Sequence, residues 1–252
     1  MALLELKEVS KSFAHAKGNL RVLENISFSI EQGEFVALVG PSGCGKSTLL
    51  RIINGIMPPT SGQILYQGRQ VDGINLECSL VFQSFALLPW LTVEANVELG
   101  LEARGMNPAE RQKRASVLIE KVGLGGFEEA YPRELSGGMK QRVGIARALA
   151  VEPKLLLMDE PFSALDALTA ISLRGELLDI WQAPDSPVHT VVMVTHTIDE
   201  AIELADRVVV MSPNPGRVVS DLKIDLPRPR DKRTEAFNAL SDKVFSLIEE
   251  RA

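Results

Sequence analysis

Residues 40–48 read Gly40-Pro41-Ser42-Gly43-Cys44-Gly45-Lys46-Ser47-Thr48, between a run that predicts a buried strand and a run that predicts a helix. This stretch has the pattern of a phosphate-binding loop, in which a glycine is followed by any four residues and then by Gly-Lys-Ser, between a strand and a helix. Its backbone N–H groups meet the positive end of the helix dipole, so the loop favours a polyphosphate. We expect Lys46 to reach the β- and γ-phosphates and Ser47 to hold Mg²⁺. The alternative, a glycine-rich turn that binds nothing, is disfavoured because both the spacing and the flanking elements match.

The composition indicates a folded chain with a substantial core. Of its 252 residues, 45% are hydrophobic, which is enough for one large domain or two lobes. The net charge of −6 and the lack of a long basic block disfavour nucleic-acid binding. No apolar run approaches the roughly twenty residues that span a bilayer, and the N-terminus lacks the pattern of a secretory signal. We therefore expect a cytosolic chain.

The two cysteines, Cys44 and Cys78, indicate neither a metal site nor a disulfide framework. Because Cys44 precedes a predicted helix, the pKa of its thiol could be lowered and the thiol could be reactive. We favour the other interpretation, in which cysteine is a small side chain that fits the loop.

The order of predicted elements indicates an α/β fold. Buried strands alternate with helices in the second half, which predicts a parallel sheet covered on both faces. Three predicted strands end at Gly40, Asp159 and His196, and such strand ends carry the chemistry in folds of this kind.

Helical periodicity from Thr92 to about Ala150 predicts a second lobe made of helices. Asn107-Pro108 is a strong helix start, and Thr92 and Ser136 can cap two further helices. After the stiff spacer Leu226-Pro227-Arg228-Pro229-Arg230, apolar residues at helical spacing predict a C-terminal helix. We favour a helix docked on its own domain over one that binds a partner.

Polar side chains after the other predicted strands fit the rest of a nucleotide site. Asp159 follows four apolar residues and would hold Mg²⁺, directly or through water. Glu160 can polarise a water for attack on the γ-phosphate. Gln83 could complete the Mg²⁺ shell and report the state of the phosphate to the loop Phe85–Leu91 that follows it. His196 could hydrogen-bond the γ-phosphate or be a structural histidine at a strand end, and by itself the pattern favours the second.

The sequence also contains a second candidate anion site and an unusually apolar loop. Residues 135–141 place the hydroxyl of Ser136 and the amides of Gly137 and Gly138 at a predicted helix N-terminus. A phosphate chain gripped from both sides needs two such sites that face each other. The loop Phe85–Leu91 either folds inward or meets a partner, because loops are normally polar. Phe13 could stack on a nucleobase or belong to the core, and we favour the core.

Together these motifs resemble those of the ATPase subunits of ABC transporters over nearly the whole chain. Residues 40–48 match the Walker A motif of that family, Leu155–Asp159 its Walker B motif, and Leu135–Gln141 its signature. Ser163-Ala164-Leu165-Asp166 matches the D-loop, so the resemblance adds Asp166 to the nucleotide-binding residues.

Three single residues match the family as well. Gln83 and His196 fall at the Q-loop and the switch histidine, and with Glu160 they form the implied catalytic set. Phe13 falls at the aromatic position that stacks on adenine, where many relatives have tyrosine.

The resemblance implies a P-loop NTPase fold. This fold is α/β, with a mostly parallel core sheet, an antiparallel β subdomain and an inserted α-helical lobe. The ATPase domain would cover residues 1–226, with the helical lobe at about 84–150. The spacer and amphipathic helix would form residues 227–252.

The resemblance also implies an enzyme that hydrolyses ATP with Mg²⁺ inside a transporter. Two subunits, a second copy or a homologous ATPase, would form a head-to-tail dimer. Each ATP would lie between residues 40–48 of one subunit and Ser136–Gly138 of the other. Integral-membrane permease subunits would contact Phe85–Leu91, and a substrate-binding protein would act only indirectly. The chain would then be peripheral, at the cytoplasmic face of the membrane.

The branch of the family is indicated by Phe82–Val93 and Ser212–Val218, which resemble importers of nitrate, sulfonates, taurine and bicarbonate. The expected cargo is therefore a small anion. Two alternatives stay open, namely a soluble ABC ATPase of repair or translation and an exporter subunit. Some relatives carry a further domain after a segment like Leu226–Ala252, so such a domain is either absent here or lies outside this sequence.

Overall fold

A computed structural model describes residues 2–15 and 18–249 and groups the chain into two compact units. The first unit contains the residues up to Asn75 and those from Thr190 onward, and the second contains Leu76–His189. None of the described helices is long and apolar enough to cross a membrane.

Strands and helices alternate along much of the chain. The strands are β1 (Ala2–His15), β2 (Gly18–Glu31), β3 (Phe35–Val39), β4 (Ser61–Tyr66), β5 (Arg69–Gln70), β6 (Cys78–Val81), β7 (Leu155–Asp159), β8 (Thr190–Thr195), β9 (Arg207–Ser212) and β10 (Arg217–Lys223). The helices are α1 (Lys46–Ile53), α2 (Val93–Ala103), α3 (Pro108–Lys121), α4 (Gly137–Ala150), α5 (Ala167–Gln182), α6 (Ile198–Leu204) and α7 (Glu235–Glu249), with a 3₁₀ turn at Pro132–Glu134.

A mostly parallel sheet with the strand order β10-β9-β3-β8 forms the centre of the first unit. Strand β3 pairs in parallel with both β8 and β9, and all of its residues are buried. A strand covered on both faces needs no polar alternation, which explains its continuous apolar sequence. The register places Val39 beside Thr195 and Val210. The residues that follow β3 and β8 therefore emerge at the same edge of the sheet.

The second sheet of this unit is antiparallel, with the order β2-β1-β4-β5. Strand β1 pairs with β2 and β4 and buries alternate apolar side chains, including Leu4 and Leu6. Its pairing with β2 continues through Phe13, which lies opposite Leu20. Phe13 is only partly buried, so the preference for a core role at this position is wrong.

The C-terminal segment of the first unit packs on α6. Helix α7 contacts α6 and β9. Arg228 and Arg230 of the spacer donate hydrogen bonds to the main-chain carbonyls of Ile202, Leu204 and Ala205. Carbonyls in the last turn of a helix have no partner within the helix, so the two arginines cap α6 from outside. Burial lowers the pKa of the Arg230 guanidinium to about 10.

The second unit combines two parallel strands, β6 and β7, with helices α2 to α5. The side chains of Thr92, Asn107 and Ser136 each accept a hydrogen bond from the N–H three residues later. These bonds confirm the predicted starts of α2, α3 and α4. The unit also contains β6, β7 and α5, which lie outside the helical lobe expected from the sequence. The predicted domain boundaries themselves stay a prediction.

Candidate nucleotide-binding site

The phosphate-binding loop of the first unit connects β3 to α1. Gly43 and Gly45 have φ angles of 80° and 96°, in the left-handed region that favours glycine. A Cβ on Gly45 would lie 2.6 Å from Leu23 Cδ2, and one on Gly40 would lie 2.4 Å from the carbonyl oxygen of Met211. Backbone conformation and close packing therefore require glycine in this loop, and α1 begins directly behind it with its N–H groups unbonded within the helix.

Lys46 is the first residue of α1, and its ammonium group folds against the loop. Its Nζ donates hydrogen bonds to the carbonyl oxygens of Gly40 (2.7 Å) and Pro41 (3.0 Å), and the residue is only 4% exposed. These acceptors are neutral, so they solvate the positive charge without neutralising it. A buried cation at a helix N-terminus attracts an anion. The residues of the loop therefore fit a polyphosphate.

The thiol of Cys44 is buried beneath the loop. Burial raises the pKa of this thiol, and the charge of Lys46 offsets the rise only in part. Burial likewise raises the pKa of Cys78 in β6 to about 12. Because the thiolate is the reactive form, the structure supports the interpretation of Cys44 as a small residue that fits.

His196 follows β8 at the edge of the sheet where Gly40 follows β3. The side chain of His196 is exposed there. The turn that carries it is fixed by Thr195, whose Oγ1 donates to the Glu200 carboxylate (2.7 Å) and accepts from the Thr197 N–H (3.0 Å). The structure therefore places His196 at a strand end, as the sequence predicts, and its contact with the γ-phosphate stays a prediction.

The two acidic residues after β7 lie in the second unit. Asp159 ends the strand and is buried, whereas Glu160 has a φ of 46°. Such a backbone costs a non-glycine residue about 1–3 kcal/mol, and residues of this kind cluster at active sites. Gln83 Nε2 donates to Glu160 Oε2 (3.1 Å), and Ser163 Oγ donates to the Glu160 carbonyl (3.0 Å). The unit thus brings Gln83 and Ser163 together around Glu160.

The signature residues Ser136–Gly138 begin α4 and pack on the segment that begins α5. A Cβ on Gly138 would lie 2.4 Å from Thr169 Cγ2, so glycine is required there. Asp166 caps α5 by accepting hydrogen bonds from the Thr169 N–H (3.0 Å) and Oγ1 (2.6 Å), and these bonds lower the pKa of its carboxyl. Ser136 and Gly137 are exposed, so the Ser136 hydroxyl and the Gly137 N–H at the N-terminus of α4 are accessible to an anion.

The apolar loop Phe85–Leu91 is held on a rigid frame but remains exposed at its tip. Arg147 donates hydrogen bonds to two of its carbonyl oxygens (2.6 and 2.9 Å). The buried Asn96 amide bonds both the N–H and the carbonyl of Leu88 (2.8 and 3.2 Å). Trp90 is 68% exposed. The sequence predicted that this loop either folds inward or meets a partner. Trp90 does not fold inward.

Sequence reasoning missed three residues that organise these parts. Ser163 belongs to the D-loop motif, but the motif does not indicate that its hydroxyl meets Glu160. Asn96 could have been identified from the sequence, because it is a polar residue on the apolar face of a predicted helix. No comparable signal identifies Arg147.

Comparison with known proteins places the chain among transport ATPases. It matches the model of a family described as ABC transporter over residues 23–163. It is 47% identical over 247 residues to an uncharacterized ABC transporter ATP-binding protein of Methanocaldococcus jannaschii, covering 98% of this chain and 91% of the relative. A nitrate import ATP-binding protein of Synechocystis is 46% identical, and an aliphatic sulfonates import ATP-binding protein of Bacillus cereus is 44% identical. Each of these two alignments covers 98% of this chain and 96% of the relative.

The fold has solved counterparts. A dimeric ATP-binding cassette in a post-hydrolysis state, bound to ADP and Pi, is 34% identical with a TM-score of 0.78. The match covers 89% of this chain and 100% of that structure. The predicted fold class is confirmed: an α/β P-loop NTPase with a mostly parallel core sheet, an antiparallel β subdomain and a helical lobe.

Proposed function

Since this chain belongs to the ABC transporter family of ATP-binding proteins, we propose that it is the ATP-hydrolysing motor subunit of an importer. One observation carries the proposal, namely the identity of 46% and 44%, over 98% of the chain, to a nitrate and an aliphatic sulfonates import ATP-binding protein. The cargo would be a small anion of the kind those names state, or a related one such as taurine or bicarbonate, and it would not touch this chain.

Nucleotide binding would rest on the phosphate-binding loop. Lys46 would exchange two neutral carbonyl partners for phosphate oxygens, which are stronger acceptors because they are charged. Ser47 and Asp159 offer the oxygen ligands that Mg²⁺ prefers, and Gln83 would complete its shell. When bound, Mg²⁺ neutralises part of the phosphate charge. Phe13 would stack on the adenine.

Hydrolysis would depend on the carboxylate of Glu160. We infer that this carboxylate orients and polarises the attacking water, and that His196 hydrogen-bonds the γ-phosphate. The hydrogen bond from Gln83 restricts where the Glu160 carboxylate can point. The same glutamine precedes the loop Phe85–Leu91, so one residue would link the base to the surface loop.

The working form would be a dimer with a second copy or a homologous subunit. Ser136–Gly138 would meet the phosphates held on the partner, with Asp166 nearby. The exposure of Ser136 and Gly137 supports this proposal, because a hydroxyl and an N–H at the N-terminus of α4 are then accessible to an anion. The related cassette of known structure is also dimeric.

Membrane permease subunits would dock on the loop Phe85–Leu91. Trp90 stands exposed on a rigid frame, and an aromatic anchor of this kind is a typical binding hot spot. A periplasmic or lipoprotein substrate-binding protein would act on this chain only through the permease. Such docking would hold the chain at the cytoplasmic face of the membrane.

The test uses Glu160→Gln, which removes the base but keeps the shape of the side chain. We expect ATP binding to persist, turnover to fall by about 10²–10⁴-fold, and ATP to drive dimer formation in size-exclusion chromatography. The matched control adds Ser136→Arg to Glu160→Gln, and this double variant is expected to bind ATP but stay monomeric. Near-normal turnover of Glu160→Gln in the assembled transporter would refute the role of Glu160. A Glu160→Gln protein that stays monomeric at every ATP concentration would refute the two-sided site.

A further inference from the structure

Gln141 in the second turn of α4 is a fully buried amide without a partner. Its Nε2 and Oε1 accept or donate no hydrogen bond within the part of the chain that the structure describes. Asn96, equally buried in α2, bonds the main chain through both of its polar atoms. Native proteins contain few unsatisfied buried groups, and each needs an explanation. An apolar residue would serve packing at position 141 better than glutamine does.

The surroundings of Gln141 are two active-site loops. Gly137 lies four residues before it and Gly144 three residues after it, so all three share one face of the helix. A Cβ on Gly137 would lie 3.7 Å from the Ala164 carbonyl oxygen, and one on Gly144 would lie 3.6 Å from the Phe85 carbonyl oxygen. Gln141 therefore lies on the face of α4 that packs against the D-loop at one end and the loop after Gln83 at the other.

The same two loops meet at the proposed catalytic base. Gln83 bonds the Glu160 carboxylate, and Ser163, next to Ala164, bonds its carbonyl. A side chain that bonded both loops from α4 would hold them at a fixed separation, and would thereby fix the base between them. An amide suits this task, because it can donate to a carbonyl of one loop and accept from an N–H of the other.

We propose that Gln141 is a positioning residue for ATP hydrolysis, whose amide bonds the backbone of the D-loop and of the Gln83 loop only when nucleotide closes the dimer. The inference rests on the proposed function. Closing would satisfy a buried amide that the open chain leaves unsatisfied, so the contact favours the closed form. Gln141 acts through Glu160 and does not itself touch the nucleotide.

The test is Gln141→Met, which keeps the length and volume of the side chain but removes the amide. We expect the melting temperature of the nucleotide-free protein to stay the same or rise, because an unsatisfied polar group is lost. The affinity of the open subunit for a fluorescent ATP analogue is expected to be unchanged, because the amide bonds neither loop before the dimer closes. ATP-driven dimerisation is expected to weaken, because the contact favours the closed form. The kcat is expected to fall roughly tenfold or more, because two hydrogen bonds are lost and each can contribute up to about a tenfold effect. Ile145→Leu, one turn further along α4, is the control for repacking and is expected to leave kcat unchanged.

Four results would overturn the inference. A wild-type kcat in Gln141→Met would show that the amide has no part in turnover. A clear loss of melting temperature would show that the amide is already bonded in the open protein. The second variant, Gln141→Leu, covers the case in which methionine prevents folding, and failure of both to fold would assign a purely structural role. If the wild-type protein bound no ATP, the proposed function would fail, and the inference with it.

Discussion

Replacing Trp90 by alanine separates docking on a membrane partner from folding of the chain. Trp90 is 68% exposed, so only about a third of the roughly 250 Å² of a tryptophan side chain, about 80 Å², is buried within the chain. At about 25 cal/mol per Å² the loss costs roughly 2 kcal/mol of unfolding free energy. A tryptophan of the core would cost roughly 3–5 kcal/mol. We therefore expect the melting temperature to fall by only about 4–8 °C.

The assay compares assembly and stability in the same preparation. We expect Trp90→Ala to bind ATP normally but to lose co-purification with the permease subunits, and transport with it. The other tryptophan provides a matched control. Trp181 belongs to α5 and donates a hydrogen bond to the His189 carbonyl (2.8 Å), so Trp181→Ala should destabilise the chain yet leave docking intact. Unchanged assembly and transport in Trp90→Ala would remove this residue from the docking surface. If Trp90→Ala lost as much unfolding free energy as the replacement of a core tryptophan, Trp90 would belong to the core and not to an exposed docking surface.

Two further predictions concern Lys46 and the two buried cysteines. Lys46→Ala is expected to abolish ATP binding, because the buried cation that balances the phosphate charge is lost, and a nucleotide titration with unchanged affinity would contradict this. Cys44 and Cys78 are expected to resist iodoacetamide at pH 8 in the folded protein and to react after unfolding. Burial raises both pKa values, so the thiols stay protonated at that pH, and fast labelling of folded Cys78→Ala would show that Cys44 is accessible.

The sequence was enough to predict those features that depend only on residues close together in the chain, namely the helix caps and the buried strand β3. The caps at Thr92, Asn107 and Ser136 each involve a side chain and an N–H three residues away, so the sequence alone identifies them. The buried strand β3 was predicted for the same reason, because a strand buried on both faces is apolar throughout.

Contacts between distant segments could not be predicted. The hydrogen bond from Gln83 to Glu160 joins residues 77 apart in the chain, and no spacing rule reports it. The hydrogen bond from Arg147 to the loop after Gln83 likewise joins residues that are 61 apart in the chain. The environment of Phe13 was misjudged because it depends on how far β1 continues alongside β2. The positive φ of Glu160 was likewise invisible, since residues other than glycine rarely signal it.

The arginines at positions 228 and 230 tie the tail of the chain to a very short helix. Helix α6 contains seven residues, too few to persist alone, and its last carbonyls are bonded by side chains 24 and 28 residues later. We therefore expect the helix and residues 228–230 to open together in hydrogen exchange. Because α6 begins two residues after His196, loosening the tail also loosens the histidine. The arginine contacts thus connect the stability of residues 228–230 to the edge of the sheet where the phosphate-binding loop begins.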